Sequence, residues 1–262
     1  YATKPPKTEK HRDYFRWRAA LSQAYVIGKL PAVALPVEDL LEVEGSAKEA
    51  VKQPYKYTLV DSEDTLHLAQ GYFSMWETLY ACGEMGAAGL DVETDVVLDH
   101  PNEMHDKLVG VGLAFGEDCF YGSIEYEPWV EALHRWLPKL RYTAHHSKYD
   151  RGVLGRHGFP TGIVVGDSLL AAHLLGVPEA GLKKLVKDRY NYSMITYNEV
   201  VGSGKSKKHI SEIDAQLVAE YCCADAYWSP VLEVDLVGEL QGNGLQLYKA
   251  DLKLSEIIGD MQ

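Results

Sequence analysis

Positive charge is scarce in this sequence. The 262 residues carry 26 Lys and Arg against 38 Asp and Glu, a formal net charge of −12. That balance argues against a protein that grips duplex DNA through a large basic surface, though not against nucleic acid altogether, since a carboxylate-rich metal site is acidic by construction. Cysteine is equally sparse. Cys82, Cys119, Cys222 and Cys223 include one adjacent pair and no C-x-x-C, so neither a disulfide framework nor a zinc cluster is encoded, and a reducing compartment fits. No apolar run reaches the ~18–20 residues that span a bilayer, and no signal-peptide core opens the chain. A membrane partner is therefore not expected. The first residue is Tyr1 rather than Met, the mark of a processed chain or a piece of a longer one. What remains is ordinary globular material, 46% hydrophobic and 24% charged, enough for one large domain or one domain with an appendage.

Charge is unevenly spread. Tyr1–Arg18 holds six Lys/Arg against two acids, and residues 1–56 read as an extension: a basic arm, a short helix near Tyr14–Lys29, then an acidic linker broken by prolines. From residue 57 the pattern alternates strand and helix. Strands are expected at Tyr57–Val60, Gly89–Thr94, Tyr142–His145 and Ile163–Val165. Lys107–Phe115 and Asp118–Ile124 form a hairpin across Gly116-Glu117. Helices are expected at Ser62–Cys82, Trp129–Leu137, Ser147–His157, Asp167–Leu175, Gly181–Tyr190 and Glu212–Leu240. This order predicts an α/β fold, a mixed sheet with helices on its faces.

Three short matches fail on context. Gly204-Lys205-Ser206 resembles the end of a P-loop, but Glu199 stands where the leading glycine belongs, and no strand precedes it. Gly166-Asp167-Ser168-Leu169 resembles an esterase nucleophile block, yet no late Asp-x-x-His supplies a base. The pairs Asp99-His100 and His105-Asp106 lie in a polar loop around Pro101-Asn102 and read as solvated surface.

Three acidic elements remain. Asp91-Val92-Glu93 ends an apolar strand, Asp150 closes Thr143–Asp150 just after another, and Tyr221 and Asp225 are spaced i, i+4 on one face of a long helix. Each alone has a bland reading as a turn onset or a surface pair. Together, four carboxylates from strand ends and a helix can converge where the sheet's edge meets that helix. Such a cluster repels itself and raises its own pKa values unless cations neutralise it. Hard oxygen ligands suit Mg²⁺ or Mn²⁺, and two such ions ~3.5–4 Å apart serve phosphodiester hydrolysis.

At these residues the chain resembles the 3′→5′ proofreading exonuclease domain of DNA polymerase I-type (family A) enzymes, the DEDDy branch of the ribonuclease H-like exonucleases. The first motif is Asp91-Val92-Glu93-Thr94-Asp95, the second Lys148–Leu154, and the third Tyr221-Cys222-Cys223-Ala224-Asp225-Ala226. Gly166–Ala172 and Ile195–Lys205 resemble two further segments of that family. The resemblance runs from about residue 57 to the C-terminus. It implies a ribonuclease H-like mixed sheet, with an exonuclease domain over 57–245 and a lead-in to a polymerase domain over 246–262. Asp91, Glu93, Asp150 and Asp225 would hold two Mg²⁺ or Mn²⁺ ions, and Tyr221 with Glu93 would orient the attacking water. Asp167 falls outside the metal set and reads as a helix cap. The implied substrate is a single-stranded DNA 3′ end, with Thr94, Val97, His146, Tyr197 and Lys205 beside it. The implied setting is cytoplasmic or nucleoid-associated, with a polymerase domain in the parent chain or a partner replication protein.

Tyr197 can stack on any base, or it can be a core aromatic. Gly181–His209 holds seven Lys/Arg against two acids, so Lys205, Lys207 and Lys208 can face phosphates or simply solvent. The sequence departs from the family in two places. His146 replaces the usual Asn four residues before Asp150 and lacks the amide's paired donor and acceptor, and the loop Gly176–Gly181 is short. Two rival readings remain: an RNase D-like RNA 3′ exonuclease, and an inactive docking module, although no carboxylate of the set is missing.

Overall fold

The computed structural model describes residues 53–98, 100–204 and 207–260. The expected arm, short helix and acidic linker of residues 1–52 lie outside them, as do Asp99 and Lys205. Six strands form one mixed sheet: β1 (Lys56–Leu59), β2 (Ala88–Asp95), β3 (Lys107–Phe115), β4 (Asp118–Ser123), β5 (Arg141–Ala144) and β6 (Ile163–Asp167). Their order is β1-β4-β3-β2-β5-β6. β2, β3 and β4 are antiparallel neighbours, whereas β1 joins β4, β5 joins β2 and β6 joins β5 in parallel. The Gly116-Glu117 turn expected from sequence links β3 and β4, with Gly116 at φ 70°, where a side chain would be strained.

Helices cover both faces. On one, α1 (Glu63–Cys82), α2 (Glu127–Trp136) and α3 (Ser147–Arg156) bury Phe73, Trp76, Trp129, Leu133, Trp136, Val153 and Leu154 against Leu90, Val92 and Val111. α1 starts where Ser62 accepts from the Thr65 N–H and ends at Gly83, φ 73°, a cap and stop that need these residue types. On the other face lie α4 (Ser168–Leu174), α5 (Leu182–Tyr190), the short α6 (Tyr197–Val201) and the long α7 (Ala215–Glu239), packed on Ala114, Cys119 and Tyr121. α8 (Gly244–Asp260) adds a further layer against α3, α4 and β6. It is fastened by Tyr248, whose hydroxyl accepts from the Asp167 N–H at 2.7 Å and donates to Glu233 at 2.9 Å. No described helix is long and apolar enough to cross a membrane.

Two glycines let α7 lie close on the sheet. A Cβ at Gly89 would stand 1.8 Å from the Ala226 carbonyl oxygen, and one at Gly112 would stand 2.6 Å from Cys222 Sγ. Pro230, inside α7, has no N–H to give the Ala226 carbonyl, which instead faces β2. A helix seated this deeply brings Tyr221 and Asp225 to the strand that bears Asp91 and Glu93.

Asp167 does more than cap α4. Besides accepting from Leu170 N at 3.0 Å, its buried carboxylate takes the N–H and hydroxyl of Ser147 (2.8 and 2.7 Å) and the His146 N–H (3.3 Å). It thereby fixes the starts of α3 and α4 together. Asp167→Ala should cost about 2–3 kcal/mol, since a cap and further charge-assisted bonds are lost at once. Urea unfolding measures this, and a loss below ~0.5 kcal/mol would contradict it.

Candidate active site

The site forms where β2 outruns β5. The two strands pair only at Ala88↔Tyr142 and Gly89↔Thr143, and β5 ends at Ala144 while β2 continues to Asp95. Beyond that point α3 begins, and its first turn presents Asp150 to the free edge of β2, where the carboxylate takes a backbone hydrogen bond at Val92. Period-two alternation puts Asp91 and Glu93 on the face that α7 covers. Their cross-strand partners are Gly112 and Gly110, so no side chain of β3 fills the space in front of them. A β-bulge at Glu93/Thr94 then bends the strand at the site's rim. The remaining acid of the first motif, Asp95, turns away to Ser211, accepting its hydroxyl at 2.6 Å and its N–H at 3.1 Å.

Electrostatics reflect the crowding. Burial, then the Asp225 carboxylate, pushes Asp91 up to about 8. Burial followed by Asp91 and Asp225 raises Glu93 well above the usual carboxylate range, and burial followed by Asp91 and Asp167 does the same for Asp150. Asp225 is raised by burial and pulled back by Lys183. Tyr221 is raised by burial and then by Asp225, so its phenol stays protonated at neutral pH. Cys222 donates its thiol to Asp91 Oδ2 at 3.3 Å. Asp91, Glu93 and Cys222 offer ligand atoms within 4.8 Å of one another. Glu93 Oε1 is buried with no hydrogen-bond partner, an arrangement that costs ~1–3 kcal/mol or more.

Lys183 is the feature that linear reading missed. From α5 its ammonium donates to both Asp225 oxygens, at 2.6 and 2.9 Å, and to the Tyr221 hydroxyl at 3.3 Å. It also stands 4.3 Å from the centre of the Tyr221 ring. A cavity of about 320 Å³ opens here, lined by Asp91, His145, Lys183 and Asp225 among others. His145 bonds Ser168 Oγ at 2.8 Å, and burial lowers it to about 4, so it faces the cavity neutral. The sequence signal for Lys183 was only the basic zone from Gly181 to His209.

The expected substrate residues are dispersed around this centre. Thr94 is buried, its hydroxyl 2.7 Å from Tyr149. Val97 is 53% exposed on the loop after β2. His146 is exposed at φ 80° with its ring stacked on Tyr149; this left-handed position suits Asn better than most residues. Tyr197 opens α6 and, with Val96, Leu98, Lys207, Lys208 and His209, lines a second cavity of about 180 Å³. Lys207 Nζ lies 5.1 Å from the Tyr197 ring centre. Asp106 requires a correction. It is wholly buried rather than solvated, accepting from Val97 N, Asn102 N and Tyr149 OH. It thus pins the loop that carries Val97, whereas His100 and His105 are exposed as expected.

A six-stranded mixed sheet between helices has counterparts among solved structures. Brucella melitensis NrnC matches at a TM-score of 0.52 and 20% identity, covering 67% of this chain and 84% of that one. The fold is that of the ribonuclease H-like 3′→5′ exonucleases. The POL domain of Pol1 from M. smegmatis also matches, at a TM-score of 0.55 and 15% identity, over 78% of this chain and 31% of that one. In sequence, the chain is 26% identical over 168 residues to DNA polymerase I of Synechocystis sp., a span of 58% of this chain and 17% of that protein. Against DNA polymerase I of Chloroflexus aurantiacus it is 27% identical over 130 residues, 14% of that protein. The chain is thus weakly similar to DNA polymerase I and spans less than a fifth of the length of these relatives. No family model matches it.

Proposed function

We propose that this chain is a metal-dependent 3′→5′ DNA exonuclease with a proofreading role, releasing nucleoside 5′-monophosphates from single-stranded or frayed 3′ ends. The observation that carries this is the assembly of Asp91, Glu93, Asp150 and Asp225 beside Tyr221. The residues fit divalent cations. The donors are hard carboxylate oxygens, burial raises all four acids, neighbouring carboxylates add to this at Asp91, Glu93 and Asp150, and Glu93 Oε1 is buried without a partner. NrnC has been solved with bound Mg²⁺, which supports the same choice here. Asp91, Glu93 and Asp225 would hold one Mg²⁺ or Mn²⁺, and Asp150 with Asp91 a second. Bound there, the ions supply Lewis acidity and neutralise phosphate charge.

The protein's own groups do the positioning. The protonated Tyr221 hydroxyl and the Glu93 carboxylate orient the attacking water toward phosphorus, opposite the departing 3′ oxygen. His145 stays neutral and adds no competing charge. Tyr197 gives the terminal base a face to stack on, and Lys207 and Lys208 attract the strand's phosphates. Thr94 and Val97 flank the 3′ end, His146 borders it, and Lys205 extends the basic loop. Residues 57–245 act as the catalytic unit, 1–56 as an extension, and 246–262 as a lead-in to a polymerase domain in the parent chain.

Relatedness to DNA polymerase I supports DNA as substrate. Matched DNA and RNA oligonucleotides with Mg²⁺ test it. DNA should shorten faster, and faster loss of RNA would replace this reading with an RNase D-like one. Tyr197→Ala should raise KM about tenfold while changing kcat less, the size expected for one lost base-stacking contact. Steady-state kinetics on a single-stranded oligonucleotide checks this, and an unchanged KM would return Tyr197 to a purely structural role.

A further inference from the structure

We propose that Lys183 is a resident counter-ion of the carboxylate site, and that a divalent cation must displace its ammonium from Asp225 in order to bind. The proposal rests on the metal-binding reading above.

The geometry favours one cation inside the cluster. Lys183 Nζ touches both oxygens of Asp225 and the hydroxyl of Tyr221. A single ammonium therefore fixes two residues one helical turn apart on α7, in the rotamers that face Asp91 and Glu93. The basic side chains near it on α5 are engaged elsewhere. Lys184 binds Asp188 at 2.6 and 2.8 Å, Lys187 donates to Ser193, and Arg189 pairs with Glu239. Lys183 is the α5 cation that turns inward, onto the Asp225 carboxylate that neighbours Asp91 and Glu93.

The same contact opposes metal binding. An ammonium 2.6 and 2.9 Å from the two Asp225 oxygens takes up lone pairs and space on the carboxylate that a divalent ion would use, and its charge repels that ion. If Lys183 stays, two further positive charges must enter beside its own; if it leaves, its ion pair is lost. Departure is possible because the Lys183 side chain is 24% exposed and borders the 320 Å³ cavity. Lys183 thus keeps the acids assembled before metal arrives, at the expense of metal affinity.

Calorimetric titration of the full chain with Mn²⁺ at pH 8 and low salt tests this without relying on catalysis. Lys183→Met should bind Mn²⁺ about tenfold tighter or better than the wild type, the scale set by removing one close competing charge. Lys183→Arg keeps the charge and should restore weak binding. Lys183→Gln serves if the Met variant does not fold. Equal dissociation constants for the wild type and the neutral variants would overturn the proposal while leaving the metal site intact. Absence of Mn²⁺ binding to wild type and variants alike, up to millimolar metal, would contradict the metal site itself, and this proposal with it.

Discussion

Asp91→Asn should lower kcat/KM for single-stranded DNA by at least about 10³-fold, because the loss of ~4 kcal/mol of transition-state stabilisation is the scale of removing a central charged group. The same substitution should raise the melting temperature in chelator at pH 8. Burial and Asp225 push Asp91 up to about 8, so the folded protein holds this proton more tightly than the unfolded chain does. Its stabilising contribution is fully present below the unfolded carboxylate pKa of ~4 and is lost as pH rises through about 8. Asn keeps the shape and cannot ionise, so the variant retains at pH 8 what the wild type has lost. Each kcal/mol recovered is worth about 2–4 °C in a domain of this size. Melts in EDTA at pH 5 and pH 8 should show a gap that widens with pH, and adding Mn²⁺ should close it by stabilising only the wild type. A variant that is inactive and also destabilised at pH 8 would instead mark Asp91 as a structural acid.

Gly89→Ala should destabilise the fold by about 3 kcal/mol, the upper range for overpacking, because the new methyl meets backbone rather than a yielding side chain. The Ala226 carbonyl oxygen would lie 1.8 Å and its carbon 2.8 Å from the added Cβ, so α7 itself must lift. Tyr221 and Asp225 ride on the same stretch of α7, and displacing them should cost nuclease activity even in the folded fraction. Gly71 on α1 is the matched control. Nothing lies within 4 Å of a Cβ there, so Gly71→Ala should be neutral or stabilise by about 0.5–1 kcal/mol through helix propensity. Urea denaturation of the pair measures the difference. A Gly89→Ala protein as stable as Gly71→Ala would mean that close seating of α7 is not required.

Most of the sheet and its helices could be read from periodicity and caps. The Gly116-Glu117 hairpin and the Asp167 cap carry local signals, and each falls where expected. The carboxylates were legible for a different reason. The spacing Tyr221–Asp225 and the strand-end pair Asp91 and Glu93 are short-range patterns that fix which face each side chain shares. Lys183 was not legible, because its partner Asp225 lies 42 residues away and only the packing of α5 on α7 joins them. Asp106 misled for a similar reason. It sits in a polar loop, yet its partners Val97 and Tyr149 come from β2's exit and from α3, and a buried acid with three donors looks no different in sequence from a solvated one. The helix α6 and the packing of α8 escaped as well, the first being only five residues long and the second held by the long-range contact of Tyr248 with Asp167.

The central claim is that the acids around Asp91 hydrolyse DNA from its 3′ end, and a 5′-labelled single-stranded oligonucleotide incubated with the protein and Mg²⁺ tests it most directly. The expected result is a ladder that shortens one nucleotide at a time from the 3′ end, with nucleoside 5′-monophosphates as product, no cleavage in EDTA and none by Asp91→Asn. Internal cleavage, or equal degradation by wild type and Asp91→Asn, would contradict it.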